Sequence, residues 1–135
     1  MAKKVLTVDD DPAIVTTLET IIEEAGYSPL TAENGEEGLN KVREEKPDLV
    51  VLDVLMPKQS GIKMYRELKR DKTLKKIPVI IHSGIAKRTF LRSQEALTEF
   101  GDESVPAPEA YLEKPVEYKK LIEKIDIALS LHRRR

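Results

Sequence analysis

The chain contains no cysteine among its 135 residues. That excludes disulfides and Cys-based zinc sites and fits a reducing compartment. Long hydrophobic runs are also missing, and none approaches the roughly 20 residues that a membrane-spanning helix needs. The N-terminal "MAKK" is basic, but only "VLTV" separates it from three aspartates, too little for the apolar core of a signal peptide. A formal net charge of −1 gives no global field to draw nucleic acid or an anionic membrane. Internal repeats and low-complexity segments are absent. What remains is 40% apolar and 35% charged, an ordinary globular composition. The length suits one well-buried core, so residues 1–135 are expected to form a single cytoplasmic domain, with no membrane partner and no direct nucleic-acid contact.

Short apolar runs alternate with helical patterns. The runs predict strands at Lys4–Val8, Ser28–Thr31, Leu49–Asp53, Val79–His82 and Ala110–Leu112. "LVVLD" and "VIIH" are continuous rather than alternating, as expected of strands covered on both faces of a parallel sheet. A first helix follows from Ile14, Val15, Leu18, Ile21, Ile22 and Ala25, with Asp11 as N-cap, Pro12 in the first turn and Gly26 as a left-handed stop. Further helices are predicted over Gly35–Glu45, about Ile62–Arg70 and about Glu117–Leu131, the last with Leu121, Ile122, Ile125 and Leu129 inward. The long connection from Ser83 to Lys114 begins as a helix, with Ala86, Phe90, Leu97 and Phe100 at helical spacing, and ends as the loop "GDESVPAPEA". A βα unit repeated five times predicts an α/β domain with right-handed crossovers and helices on both faces.

In such a sheet all strands end at one edge, where ligands bind at the reversal of strand order. Asp9 and Asp10 end the first strand and Asp53 ends the third, so three carboxylates converge if those strands are neighbours. Ser83 ends the fourth strand and Lys114 follows the fifth, at the same edge. Two like charges ~4 Å apart repel by roughly 4 kcal/mol at an effective dielectric of ~20. A hard divalent cation offsets this, and an all-oxygen donor set selects Mg²⁺ over softer metals. Such a site suits phosphoryl transfer, with an aspartate carboxylate as the nucleophile.

Asp9-Asp10, Asp53 within "DLVVLDVLMPKQSG", Ser83 after "IPVIIH" and Lys114-Pro115 in "YLEKP" together resemble the receiver domain of two-component response regulators. The resemblance covers about residues 3–131, with five motifs in family order. It implies the flavodoxin-like, CheY-like (βα)5 fold, a doubly wound five-stranded parallel sheet in the order 2-1-3-4-5. It also implies that Asp53 is the phospho-acceptor, and that Asp10, Asp9 through water, Asp53 and the backbone carbonyl of Leu55 hold Mg²⁺. Lys114 would pair with Asp53 and then with the phosphoryl oxygens, and Ser83 would bond the phosphoryl group. Tyr111 occupies the switch aromatic position and would turn inward as Ser83 moves. Met56-Pro57 and Gly61 match the turn after the acceptor. Pro115 matches the proline whose preceding cis bond aims the lysine.

Asp11 is a helix cap rather than a site residue, Tyr111 reads also as packing, and His82 as a structural strand histidine. The terminal Arg133–Arg135 reads as a helix end complementing the macrodipole, with His132 facing solvent. Ser60 replaces the usual Asp before the glycine, and Gly84 replaces alanine and leaves its loop freer to move. Leu55 and Ile85, two beyond the acceptor and two beyond the serine, are apolar and cannot orient an attacking water, which predicts a slowly hydrolysing phosphoaspartate. The span from residue 85 to 110 is long for the family, an extended fourth helix and loop that reads equally as a partner surface or a tolerated insertion.

The expected function is therefore a stand-alone response regulator receiver, phosphorylated on Asp53 by a histidine kinase or histidine phosphotransfer protein. Output would pass to a downstream protein through the face made by the fourth helix, fifth strand and fifth helix, with phosphorylation-dependent dimerisation as one form. A fragment of a larger regulator or hybrid kinase is the alternative. A Mg²⁺-dependent phosphohydrolase would need a second acid where Leu55 stands, and a flavin-binding domain would need a phosphate loop where the aspartates stand.

Overall fold

The computed structural model describes residues 2–99 and 104–133. The chain alternates β1 (Lys4–Val8), α1 (Pro12–Glu24), β2 (Ser28–Ala32), α2 (Gly35–Glu45), β3 (Leu49–Leu52), α3 (Ser60–Arg70), β4 (Val79–Ser83), α4 (Lys87–Glu99), β5 (Ala110–Glu113) and α5 (Tyr118–Arg133). The strands form one parallel sheet in the order β2-β1-β3-β4-β5. The predicted (βα)5 architecture and strand order are therefore the ones observed. No described helix is long and apolar enough to cross a membrane. Phe100, residues 101–103 of the predicted loop, Arg134 and Arg135 lie outside the described residues, as do the side chains of His132 and Arg133.

Side-chain alternation along the strands builds a separate core on each face of the sheet. Leu6, Val50, Leu52 and Ile81 point to the face covered by Leu39 and Val42 of α2, Met64 and Leu68 of α3, and Phe90 of α4. Val5, Leu49, Val51 and Ile80 point to the other, covered by Leu18 and Ile22 of α1 and Leu121, Ile125 and Leu129 of α5. Because β3 is apolar at every position, both faces are filled, as its unbroken "LVVL" requires.

Local signals explain the element ends. The Asp11 side chain accepts from the Ala13 N–H at 3.0 Å, capping α1 as its type predicts. Gly26 adopts φ +96°, a left-handed position that only glycine occupies without cost. In α3 the structure differs from the sequence expectation. The helix starts at Ser60 rather than Ile62, after a 3-10 turn at Pro57–Gln59. Gly61 permits the close approach of that first turn, since a Cβ there would lie 2.3 Å from the Asp53 carbonyl oxygen and 2.7 Å from Val54 Cα. The bare glycine lets α3 press against the backbone that carries Asp53. In α4 the inward spacing is only partly realised. Ala86 precedes the helix and is exposed, Leu97 is half-buried, and Phe90 alone among the described residues of α4 is buried. In α5, Ile122 is likewise only half-buried.

Candidate functional site

Strand order reverses on either side of β1, and the residues singled out at the carboxyl edge meet there. The ladder carries Asp9, Asp53 and Lys114 one residue past β1, β3 and β5, while Ser83 is the last residue of β4. Asp9 N–H donates to the Ala32 carbonyl at 3.2 Å, Asp53 N–H to Val8 at 3.0 Å, and Lys114 N–H to Ser83 at 2.8 Å. Asp53, expected as the last residue of the third strand, stands just beyond β3, still held in register.

Asp53 sits at the centre. Its Oδ1 accepts from the Ser83 hydroxyl at 2.6 Å and from the Leu55 N–H at 2.8 Å, and its Oδ2 accepts from Lys114 Nζ at 3.3 Å. Lys114 makes its closer contact with Asp9 Oδ2, at 2.8 Å, so it bridges two carboxylates instead of serving Asp53 alone. Asp9 Oδ1 is in turn held by the Asp11 N–H at 2.9 Å. The third aspartate thus helps the cluster through its backbone while its side chain caps α1, a contribution that its residue type does not announce. The Lys114–Pro115 peptide bond is cis.

Burial separates the carboxylates. Asp9 and Asp53 are 2% and 5% exposed, whereas Asp10 is open to solvent. Burial raises the Asp9 carboxyl above the ordinary range, and the nearby Asp53 adds to this against the Lys114 and Asp11 bonds that oppose it. Burial pulls the Lys114 ammonium down, but the bond to Asp9 and the charges of Asp53 and Asp9 outweigh it and raise its pKa. The lysine is therefore a fixed cation at neutral pH.

Asp9, Asp10 and Asp53 each offer a carboxylate oxygen within 4.8 Å of the others. One lysine against three carboxylates leaves the cluster anionic, and every donor is a hard oxygen. These residues fit Mg²⁺. Leu55 lines the mouth with a 61% exposed side chain, and the structure shows its backbone N–H, not its carbonyl, engaged with Asp53. Its Cδ2 is the nearest atom to where a Cβ on Gly84 would stand, at 3.9 Å. Tyr111 is half-buried, and its hydroxyl donates to the Ile85 carbonyl at 2.7 Å.

His82, read from sequence as a structural residue, is 3% exposed and lies close enough to the site to sense it. Burial lowers its pKa to about 4, helped by Lys114 and opposed by Asp53. A histidine buried neutral contributes stability that is whole above its unfolded pKa, near 6.5, and is lost as pH falls through about 4. Wild type should lose roughly 3 kcal/mol of unfolding free energy across that window beyond what His82→Leu loses. Urea midpoints at pH 7 and pH 4.5 check this, and equal slopes for the two proteins would refute it.

The response regulator receiver domain family matches residues 5–126. The chain is 34% identical to protein PilH of Pseudomonas aeruginosa over 127 residues, 94% of this chain and 98% of PilH. It is 49% identical over 74 residues to the alkaline phosphatase synthesis transcriptional regulatory protein PhoP of Bacillus subtilis, of which it spans only 31%. Among solved structures, a CheY-like receiver domain protein from Methanospirillum hungatei superposes with TM-score 0.80 at 29% identity, covering 99% of this chain and 98% of that one.

Proposed function

Because the chain belongs to the response regulator receiver domain family, we propose that it is a phosphorylation-controlled signalling module whose acceptor is Asp53. The supporting observation is the convergence on that one carboxylate of a serine hydroxyl, a lysine ammonium and two further aspartates. Receiver domains work in two-component systems, taking a phosphoryl group from a histidine kinase or phosphotransfer protein. Here an Asp53 oxygen would form the new O–P bond as the donor's P–N bond breaks, its electron pair returning to the imidazole.

Asp9, Asp10 and Asp53 would hold Mg²⁺. The ion supplies charge neutralisation for the incoming phosphoryl group. Lys114 stabilises the charge that develops on the phosphoryl oxygens, and it is already aimed at Asp53. Ser83, wholly buried, is placed to transfer its hydroxyl bond from the carboxylate to a phosphoryl oxygen. That transfer alters the β4–α4 loop and so the surface that a downstream protein would read, the α4–β5–α5 face. Incubation with acetyl phosphate and Mg²⁺, followed by intact mass, tests the reading.

The apolar mouth bears on the lifetime of the product. No polar side chain stands at Leu55 or Ile85 to orient an attacking water. The phosphorylated form should therefore persist for minutes to hours, and Leu55→Asn should speed its hydrolysis by about tenfold or more. Mass spectra taken after removal of the phosphodonor measure both, and a wild-type half-life of seconds would count against it.

A further inference from the structure

Two tyrosine hydroxyls bracket α4. Tyr111 of β5 donates to the Ile85 carbonyl, in the loop that enters the helix. Tyr65 of α3 donates to the Pro106 carbonyl, in the segment that follows it. Between them lies Phe90, its ring centroid 5.5 Å from each, edge-on to Tyr65 at 81° and tilted by 47° to Tyr111. The rings therefore touch in a row from the β4–α4 loop to the segment of residues 104–107.

Ile85 ties this row to the phosphorylation site. Its N–H donates to Ser83 Oγ at 3.4 Å, and its carbonyl accepts from Tyr111 at 2.7 Å. Ser83 Oγ in turn bonds Asp53. A serine hydroxyl drawn toward a phosphoryl oxygen disturbs the Ile85 N–H bond, and the same residue carries the anchor of Tyr111. Phe90 is the buried residue among the described ones of α4, and its ring packs on Tyr111, so a change at Tyr111 reaches it directly. Packed rings shift between discrete arrangements instead of deforming smoothly. An open cleft of about 440 Å³, lined by Tyr65, Phe90, Leu91, Gln94, Val105 and Pro106, lies beside two of the three rings.

We infer that the Tyr111–Phe90–Tyr65 row couples the Asp53 site to the 104–107 segment, so that phosphorylation undocks that segment from the core. The inference rests on the proposed acceptor role of Asp53 and adds a second responsive surface, on the span that is long for the family. Val105 packs against the same core as Phe90 and Tyr111, which makes it the reporter.

Val105→Cys would be the sole thiol in a cysteine-free chain, and its alkylation by iodoacetamide reads undocking. Tyr65→Phe, which removes the latch itself, should raise the alkylation rate roughly fivefold, the worth of one hydrogen bond. Tyr111→Phe, which removes only the hydroxyl bond to the Ile85 carbonyl, should raise it comparably through Phe90, and should have no effect in a Phe90→Leu background. Acetyl phosphate with Mg²⁺ should raise the rate in the otherwise wild-type protein and not in Asp53→Asn. Intact mass on the same samples reports phosphate. A phosphorylated protein with an unchanged rate, or a Tyr111→Phe rate equal to wild type, overturns the coupling. If no phosphate is taken up, the acceptor reading fails, and the Tyr111→Phe arm still decides whether the rings transmit.

Discussion

Asp53→Asn is expected to abolish phosphate uptake from acetyl phosphate, where the wild-type chain gains a single phosphate. An amide oxygen has the shape of the carboxylate oxygen but not its nucleophilicity, so no O–P bond forms. The substitution leaves the surroundings able to accept it. A carboxamide oxygen at the Oδ1 position can still receive the Ser83 hydroxyl and the Leu55 N–H, now at 2.6 and 2.8 Å. Lys114 loses its 3.3 Å contact but keeps the shorter one to Asp9. One charge leaves a crowded anionic cluster, so the variant should unfold at the wild-type urea concentration or above it. Loss of uptake in a protein of unchanged stability would locate the chemistry at this carboxylate. Uptake by the variant, or none by wild type, would remove Asp53 from its proposed role.

The sheet edge was legible in the sequence because a parallel strand advertises itself twice, in an unbroken apolar run and in the polar residue that follows. "LVVLD" and "VIIHS" have this form, and both lie where expected. The topology adds what no run contains, the placing of β1 beside β3 that brings Asp9 to Asp53. The side-chain pairings were less legible. Lys114 was expected on Asp53 and contacts it, but it is closer to Asp9, because the lysine reaches from β5 across the mouth and meets both carboxylates. Backbone donors left no trace in residue type, so the parts played by Asp11 and Leu55 emerged only from geometry. Tyr65 lies within the predicted third helix with nothing to single it out. Nothing in its spacing distinguishes a packed ring from one whose hydroxyl grips a loop forty-one residues away. The α4 pattern misled for a related reason, since helical spacing shows a stripe but not whether anything covers it.

Lys114→Met should slow phosphate uptake by about 10²-fold or more and also destabilise the fold, and the two effects have separable causes. The lysine side chain is 22% exposed, so its charge acts through a medium much less polarisable than water. Its removal leaves Asp9 and Asp53 buried without their cation, a change that costs up to about 3–5 kcal/mol for a fully buried pair and less at this mouth. Protonation of Asp9, already raised by burial, would relieve part of that cost. The variant's deficit relative to wild type should therefore shrink as pH falls toward the carboxylate range, opposite in sign to the His82 effect that both proteins share. Added Mg²⁺ should restore stability as well, by binding the three carboxylates of the folded state. Neither remedy should restore the rate if Lys114 has its proposed role, because the donor to the transferring phosphoryl oxygens is then gone. Urea midpoints with and without Mg²⁺, beside uptake rates from intact mass, distinguish the two roles. A variant that Mg²⁺ stabilises yet that takes up phosphate at the wild-type rate would make Lys114 an electrostatic prop for Asp9 and nothing more.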